Sequence, residues 1–237
     1  MFDIDTLGSR VAFTGQDRFN ESMSTGWKIY LTDLKSNKTV HLSDMITART
    51  QQPKFSPNDR KLAFLAMDRD DIESDRLKLM VYDFETKQLQ DLTGFVDTSV
   101  NDFMWMGTEI IMFTTLVRGT VQMFSINLSS PDSLSAFYRD NFLSTVSVPK
   151  KTNPNFRFVM KLSSWSSPED LYIVSPFKSE QVTNLNPSLA AFNLSKPMLF
   201  EWPSALSGQQ PSKLQCNILM QNYLLRMDLT QIYAPDL

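Results

Sequence analysis

Phe55-Ser56-Pro57-Asn58-Asp59-Arg60-Lys61-Leu62-Ala63-Phe64 is the stretch that decides the fold. An apolar strand end runs into a polar turn, and a second apolar strand leaves it. The same shape stands earlier as Ile4-Asp5-Thr6-Leu7-Gly8-Ser9-Arg10-Val11-Ala12-Phe13. One residue shorter, it stands later from Trp105 through Met106-Gly107-Thr108-Glu109 to Ile110-Ile111-Met112-Phe113. A recurrence of about fifty residues signals repeat architecture, because a unit of that size cannot bury its own apolar face and must stack on neighbours.

Outward from each copy, the order of elements also repeats. Val11 to Thr14 and Trp27 to Leu34 read as strands, followed by the turn Lys35 to Lys38 and the strand Thr39 to Leu42. Lys61 to Ala66, Leu77 to Phe84 and Gln88 to Thr93 follow the same plan. A third unit supplies Asn101 to Trp105, Glu109 to Thr114 and Thr120 to Asn127; Asp132 to Phe142 reads as a short helix or an irregular fourth strand. A fourth, eroded unit supplies Ser144 to Val148, Phe156 to Lys161, Asp170 to Ser175 and Glu180 to Thr183. Alternation, β-branched and aromatic content, and polar turns favour antiparallel strands. Tyr30, Tyr82, Phe124 and Tyr172 fall at one place in successive units and read as third-strand core aromatics.

Four strands per unit is the spacing of a β-propeller blade. The expected fold is therefore all-β: a partial propeller of about four four-stranded blades over residues 1–202. Residues 203–237 form an irregular or partly helical tail, with moderate helical character from Lys213 to Leu229. Four units make only part of a ring, so either another chain completes it or this chain is a fragment of a longer one.

Composition bounds the function. The 237 residues carry a formal net charge of -3, which gives no basic footprint for nucleic acid or an anionic membrane. No apolar run approaches the ~20 residues that span a bilayer, and the start Met1-Phe2-Asp3-Ile4 shows no basic stretch followed by a long apolar one, so no signal peptide is expected from it. Four sequons begin at Asn20, Asn37, Asn127 and Asn193, where chance gives roughly two. They lean toward a secretory route, with secreted and cytoplasmic placements both open. One histidine (His41) and one cysteine (Cys216) supply neither a Ser-His-Asp set nor a zinc ligand cluster. No G-x-S-x-G elbow, phosphate loop or glycine-turned calcium loop occurs. No catalytic residue, metal or cofactor is expected from the chain itself.

The densest acidic run is Asp68, Asp70, Asp71, Glu73 and Asp75, interleaved with Arg69 and Arg76. It reads either as a solvated loop or as charge presented to a ligand from one propeller face.

At this loop the sequence resembles a family. Phe55 to Thr93 is similar to the propeller of prolyl-oligopeptidase-family serine peptidases, in the dipeptidyl-peptidase-V and acylaminoacyl-peptidase branch. The family's Ser-Pro-Asp-Gly turn stands here as Ser56-Pro57-Asn58-Asp59, and its Glu-Ala-Asp-Arg loop as Glu73-Ser74-Asp75-Arg76. Ser24 to Tyr30 is similar to its Ser-Thr-Asn-Trp-Asp-Ile-Tyr, and Ser163 to Tyr172 to its Ser-Ser-Leu-Ser-Ser-Pro-Ala-Glu-Leu-Tyr. Leu185-Asn186 through Pro197 resembles its exit from the last blade. The resemblance covers roughly residues 1–202. It implies a propeller that caps an α/β-hydrolase domain carrying the Ser, Asp and His, and that admits short peptides to it. Residues 203–237 match no part of such a domain, so this chain alone is expected to be inactive. Glu73, Asp75 and Arg76 are the implied substrate-facing residues, suited to pair with a charged peptide terminus. An internal Asp75–Arg76 or Glu73–Arg76 brace competes with that role, and Trp27 reads either as packed near the same face or, more simply, as a core aromatic. A propeller module that binds protein or peptide without catalysis, and a truncated product, are the alternatives.

Overall fold

A computed structural model describes residues 1–16, 24, 26–44, 46–138, 142–147, 157–175, 178–192, 194, 198–203 and 213–218. Four antiparallel meanders follow one another. The first holds β1 (Phe2–Ile4), β2 (Arg10–Gly15), β3 (Lys28–Asp33) and β4 (Lys38–His41). The second holds β5 (Thr50–Phe55), β6 (Lys61–Ala66), β7 (Lys78–Asp83) and β8 (Leu89–Asp91). The third holds β9 (Val100–Trp105), β10 (Ile110–Val117), β11 (Thr120–Asn127) and β12 (Ser130–Tyr138). The fourth holds β13 (Phe142–Ser147), β14 (Phe158–Ser164), β15 (Ser167–Ser175) and β16 (Lys178–Gln181). Each sheet is ordered as the chain runs, so the fold is all-β and its sheets are the blades of a partial propeller. The ambiguous stretch after Asn127 is a fourth strand, β12.

The core lies between blades. Leu62, Phe64 and Ala66 on one face of β6 pack with Ala12 and Ile29 of the first blade. Ala63 and Leu65 on the other face pack with Phe103, Ile111 and Phe113 of the third. Met112 and Met123 then meet Phe158, Met160 and Leu162 of the fourth. Alternate residues of one strand thus serve two interfaces, which is why β6 and β10 read as near-continuous apolar runs.

Strand register refines the aromatic repeat. Phe13 pairs with Tyr30, Phe64 with Met80, Phe113 with Phe124 and Met160 with Tyr172. Met80, not Tyr82, is the counterpart of Tyr30. Tyr82 sits two residues further on and, by the period of two, on the same face. In blades two to four this row faces the preceding blade. In blade one it forms an outward row, Phe2–Phe13–Tyr30–His41, with Tyr30 stacked on Phe13 at 5.5 Å and on His41 at 5.1 Å.

The quoted turns link the blades at one end of the stack. Asp59 stands where the resembled pattern has glycine, and its φ of 58° is left-handed. Such a conformation costs a non-glycine residue about 1 kcal/mol. Its carboxylate accepts hydrogen bonds from Thr6 N at 3.0 and 3.1 Å, and its carbonyl accepts one from the Arg10 guanidinium at 2.7 Å. The Arg10 guanidinium also lies over the rings of Phe55 and Phe84, at 5.2 and 4.7 Å. One blade on, Lys61 Nζ reaches Glu109 at 2.6 Å. The copies recur because each turn docks on the next.

A second recurrence escapes the sequence reading. The hydroxyls of Ser43, Thr93 and Thr183 accept hydrogen bonds from Ile29 N, Leu79 N and Leu171 N at 2.9, 2.8 and 2.8 Å. Each closes the third strand where the fourth has ended. A Leu-Ser, Leu-Thr or Val-Thr pair after the fourth strand is the sequence signal for it.

After the fourth blade a 3-10 turn spans Pro187–Ala191. Then β17 (Met198–Pro203) pairs with β18 (Lys213–Ile218), a hairpin that crosses from the expected propeller segment into the tail. Lys213–Ile218 is therefore extended, where helical character was expected: its backbone pairs with β17 rather than with itself. Residues 219–237 of that stretch lie outside the described residues, as do Asn20 and Asn193 of the sequons.

Candidate functional site

The end of the stack opposite the repeated turns carries the loops between second and third strands and the links from blade to blade. The 67–77 loop holds Glu73, Asp75 and Arg76. It is tied down at several points. Asp75 accepts hydrogen bonds from Asp68 N at 3.1 Å, Arg69 N at 2.8 Å and the Arg69 guanidinium at 2.8 Å. The Arg69 side chain, then its backbone N–H, hold the Asp75 carboxyl well below the usual carboxylate range. Arg76 donates to Gly94 O at 3.0 Å and to Val96 O on the link to blade three. Lys78 bridges Asp68 at 2.5 Å and Asp91 at 2.9 Å. Burial lowers its pKa, and these two carboxylates more than offset that.

The loop is therefore braced, with partners other than the expected ones. Asp75 pairs with Arg69 rather than Arg76, and Arg76 spends its donors on carbonyls. Arginine's forked donors suit such a two-point clamp. Of the three implied residues only Glu73 is exposed; Asp75 and Arg76 are half-buried. The brace matters chemically: it holds an exposed carboxylate on a loop whose ends are fixed, and fixed charge binds a ligand with less ordering cost.

Blade one adds to the same end. Met67 N donates to Arg49 O at 2.9 Å, and Thr50 N to Trp27 O at 2.7 Å, so the loop, Arg49 and Trp27 share one wall. Ser24 Oγ donates to Asp70 at 2.8 Å, joining the two loops. Lys28 Nζ reaches Ile46 O at 2.6 Å and also Thr47 O. Burial pushes its pKa down, against the charges of Asp70 and Asp44. Met1, Thr14, Trp27, Arg49, Thr50, Gln51 and Gln52 line a cavity of about 220 Å³ here, with the Met1 ammonium donating to Thr14 Oγ1 at 3.2 Å.

Ser43, His41 and Asp44 invite comparison with a hydrolytic set. His41 Nδ1 lies 3.2 Å from Asp44, and its Nε2 3.5 Å from Ser43 Oγ. The Ser43 hydroxyl, however, is buried, accepts the Ile29 N–H and faces Thr50 Oγ1 at 3.3 Å. Thr93 and Thr183 do the same work in other blades without a histidine. A hydroxyl closed in this way cannot meet a scissile carbonyl, and the trio is a strand-end brace. Among the described residues no group of three or more His, Cys, Asp or Glu is placed to hold a metal.

No family model matches the chain. Dipeptidyl-peptidase 5 of Porphyromonas gingivalis is 26% identical over 172 residues, which are 71% of this chain and 24% of that protein. That match supports the resemblance of the chain to peptidases of this kind. The chain spans about a quarter of the length of the curated relative it matches. A puromycin hydrolase mutant complexed with PGG superposes with a TM-score of 0.62 at 11% identity, over 92% of this chain and 33% of that one. TolB from Acinetobacter baumannii superposes with a TM-score of 0.55 at 12% identity, over 92% of this chain and 51% of that one. At such identities these two speak for the fold: stacked four-stranded blades.

Proposed function

We infer that this chain is the propeller portion of a dipeptidyl-peptidase-V-like serine peptidase. In the whole protein it limits access to the active site and orients short peptides, while an α/β-hydrolase domain performs acyl transfer by nucleophilic attack. The observation that carries this reading is the 172-residue match to dipeptidyl-peptidase 5, which spans most of this chain. The braced 67–77 loop supports it, because Glu73 there offers a carboxylate to a peptide ammonium. Asp75 and Arg76 hold that carboxylate's loop and complete the charged rim.

The test is a pair of measurements on the purified chain. With a dipeptidyl chromogenic substrate it gives no turnover above background; activity abolished by a serine-reactive inhibitor would contradict the inference. Short peptides with a free amino terminus bind it, and Glu73→Gln weakens that binding while N-acetylated peptides are insensitive to the change. Equal loss for both peptide forms would remove Glu73 from the site.

A further inference from the structure

Arg49 and Gln52 stand out from every other buried polar group described. Arg49 Nε and Gln52 Oε1 are the two buried side-chain atoms, among the described residues, without a hydrogen-bond partner. Both residues line the cavity beside Trp27. Such atoms cost about 1–3 kcal/mol each when left unpaired, so these two side chains mark the least satisfied polar corner of this wall. Gln52 also holds a left-handed backbone, φ 56°, inside a bulge of β5 that shifts the register between Gln51 and Lys54. Backbone strain of this kind persists where the surroundings enforce it, and bulges re-aim side chains next to sites.

The chemistry of the pair is specific. Arginine is a donor and always charged; the Gln52 carbonyl oxygen is an acceptor. A ligand seated against these two side chains is matched by an anionic acceptor and a nearby N–H. Among the described residues no carboxylate lies within ion-pair reach of Arg49. The last residue of a peptide carries both groups on adjacent atoms: a carboxylate and its own amide N–H. A cavity of about 220 Å³ is smaller than the ~300 Å³ at which drug-sized sites begin, and suits one terminal residue rather than a whole peptide. Trp27, 40% exposed at the rim, gives that residue's side chain an apolar surface.

We propose that Arg49, Gln52 and Trp27 form a receptor for the C-terminal carboxylate of a short peptide. The proposal rests on the peptide-orienting reading and assigns the opposite end of the ligand. Glu73 on the neighbouring loop would meet the ammonium, and Arg49 the carboxylate. The two charges select short peptides with both termini free.

The test is calorimetric titration of the full chain with N-acetyl-Gly-Phe and with its C-terminal amide. The acetyl group removes the ammonium, so Glu73 does not enter. The acid binds about tenfold or more tighter than the amide, the size of one charge-assisted hydrogen bond. Arg49→Met brings the acid down to the affinity of the amide, and added salt narrows the preference. Arg49→Lys keeps part of it, which guards against a variant that fails to fold. Acid and amide binding alike to the unaltered chain would overturn the carboxylate receptor and leave the peptide-orienting reading standing. A preference that survives Arg49→Met would overturn Arg49's role. No binding of either peptide, with free-amine peptides also silent, would overturn both readings.

Discussion

Phe13 and Phe64 occupy the same register position in blades one and two, yet they live in different surroundings. Phe64 is 1% exposed beneath the first blade, whereas Phe13 is half-buried on the outward face with Tyr30 stacked beside it. Phe2 and Ile4 on that face are 67% and 47% exposed. The strands are built alike; only the neighbour differs. Blade identity is thus written in local alternation, while blade stability comes from the sheet on either side.

The largest effect expected from this contrast is on unfolding. Phe64→Ala lowers stability by about 3–5 kcal/mol, the cost of a large cavity between two sheets. Phe13→Ala lowers it by about 1 kcal/mol, chiefly the lost ring stacking. Denaturant titrations of the two variants would show the gap, and equal losses would mean that blade one's outward face is covered in solution.

A second difference lies in the turns. Blade two closes its turn with a Ser56 hydroxyl accepting from Lys61 N at 2.9 Å. Blade one uses the buried carboxylate of Asp5, which accepts from Ser9 N at 2.6 Å, Ser9 Oγ at 2.7 Å and Arg10 Nε at 3.0 Å. Burial raises the Asp5 pKa, but the hydrogen bonds from Ser9 and Arg10 outweigh it and bring it from 3.8 to about 2. A depressed folded pKa means that the unfolded chain binds the proton more readily. The stabilisation is complete above about pH 5 and is lost as pH falls toward 2. It amounts to about 2 kcal/mol. Asp5→Asn flattens the pH dependence of stability between pH 5 and 2; an unchanged slope would place the acid sensitivity elsewhere.

The strand-end hydroxyls sharpen the comparison on a smaller scale. Thr93→Val strands the buried Leu79 N–H and costs about 1.5 kcal/mol. Thr183→Val costs less, because the Leu171 N–H it serves lies at an exposed position. Thermal melts of the two variants would separate them, and equal shifts would count against burial as the cause.

Much of this was legible in the sequence. The repeat from Ile4 through Phe55 to Trp105 marked the turns, and alternation marked the strands of blades one and two. The fourth strand of blade three was not decided, because Asp132 to Phe142 mixes serine, alanine and aromatics without a clear period. Lys213–Ile218 has a composition suited to helix and is held extended by β17, a pairing that local propensity does not encode. The site was legible as a charged loop but not as a wiring diagram. Arg69 and Arg76 are both near Asp75 in sequence, and only the loop's path shows that the first pairs with it while the second clamps the next link. Arg49 and Gln52 gave no signal at all. Their distinction is an unmet hydrogen bond, which exists only once the fold and the bulge of β5 have buried them.

Stacking of sheets is tested most directly by native-state amide hydrogen exchange on the second strands. The account predicts that β6 and β10, covered on both faces, exchange slowest and together, and that β2, covered on one face, exchanges at least about a hundredfold faster, a difference of roughly 3 kcal/mol in opening free energy. Equal protection of β2, β6 and β10 would contradict the account, since it would show that strand protection does not depend on neighbouring blades.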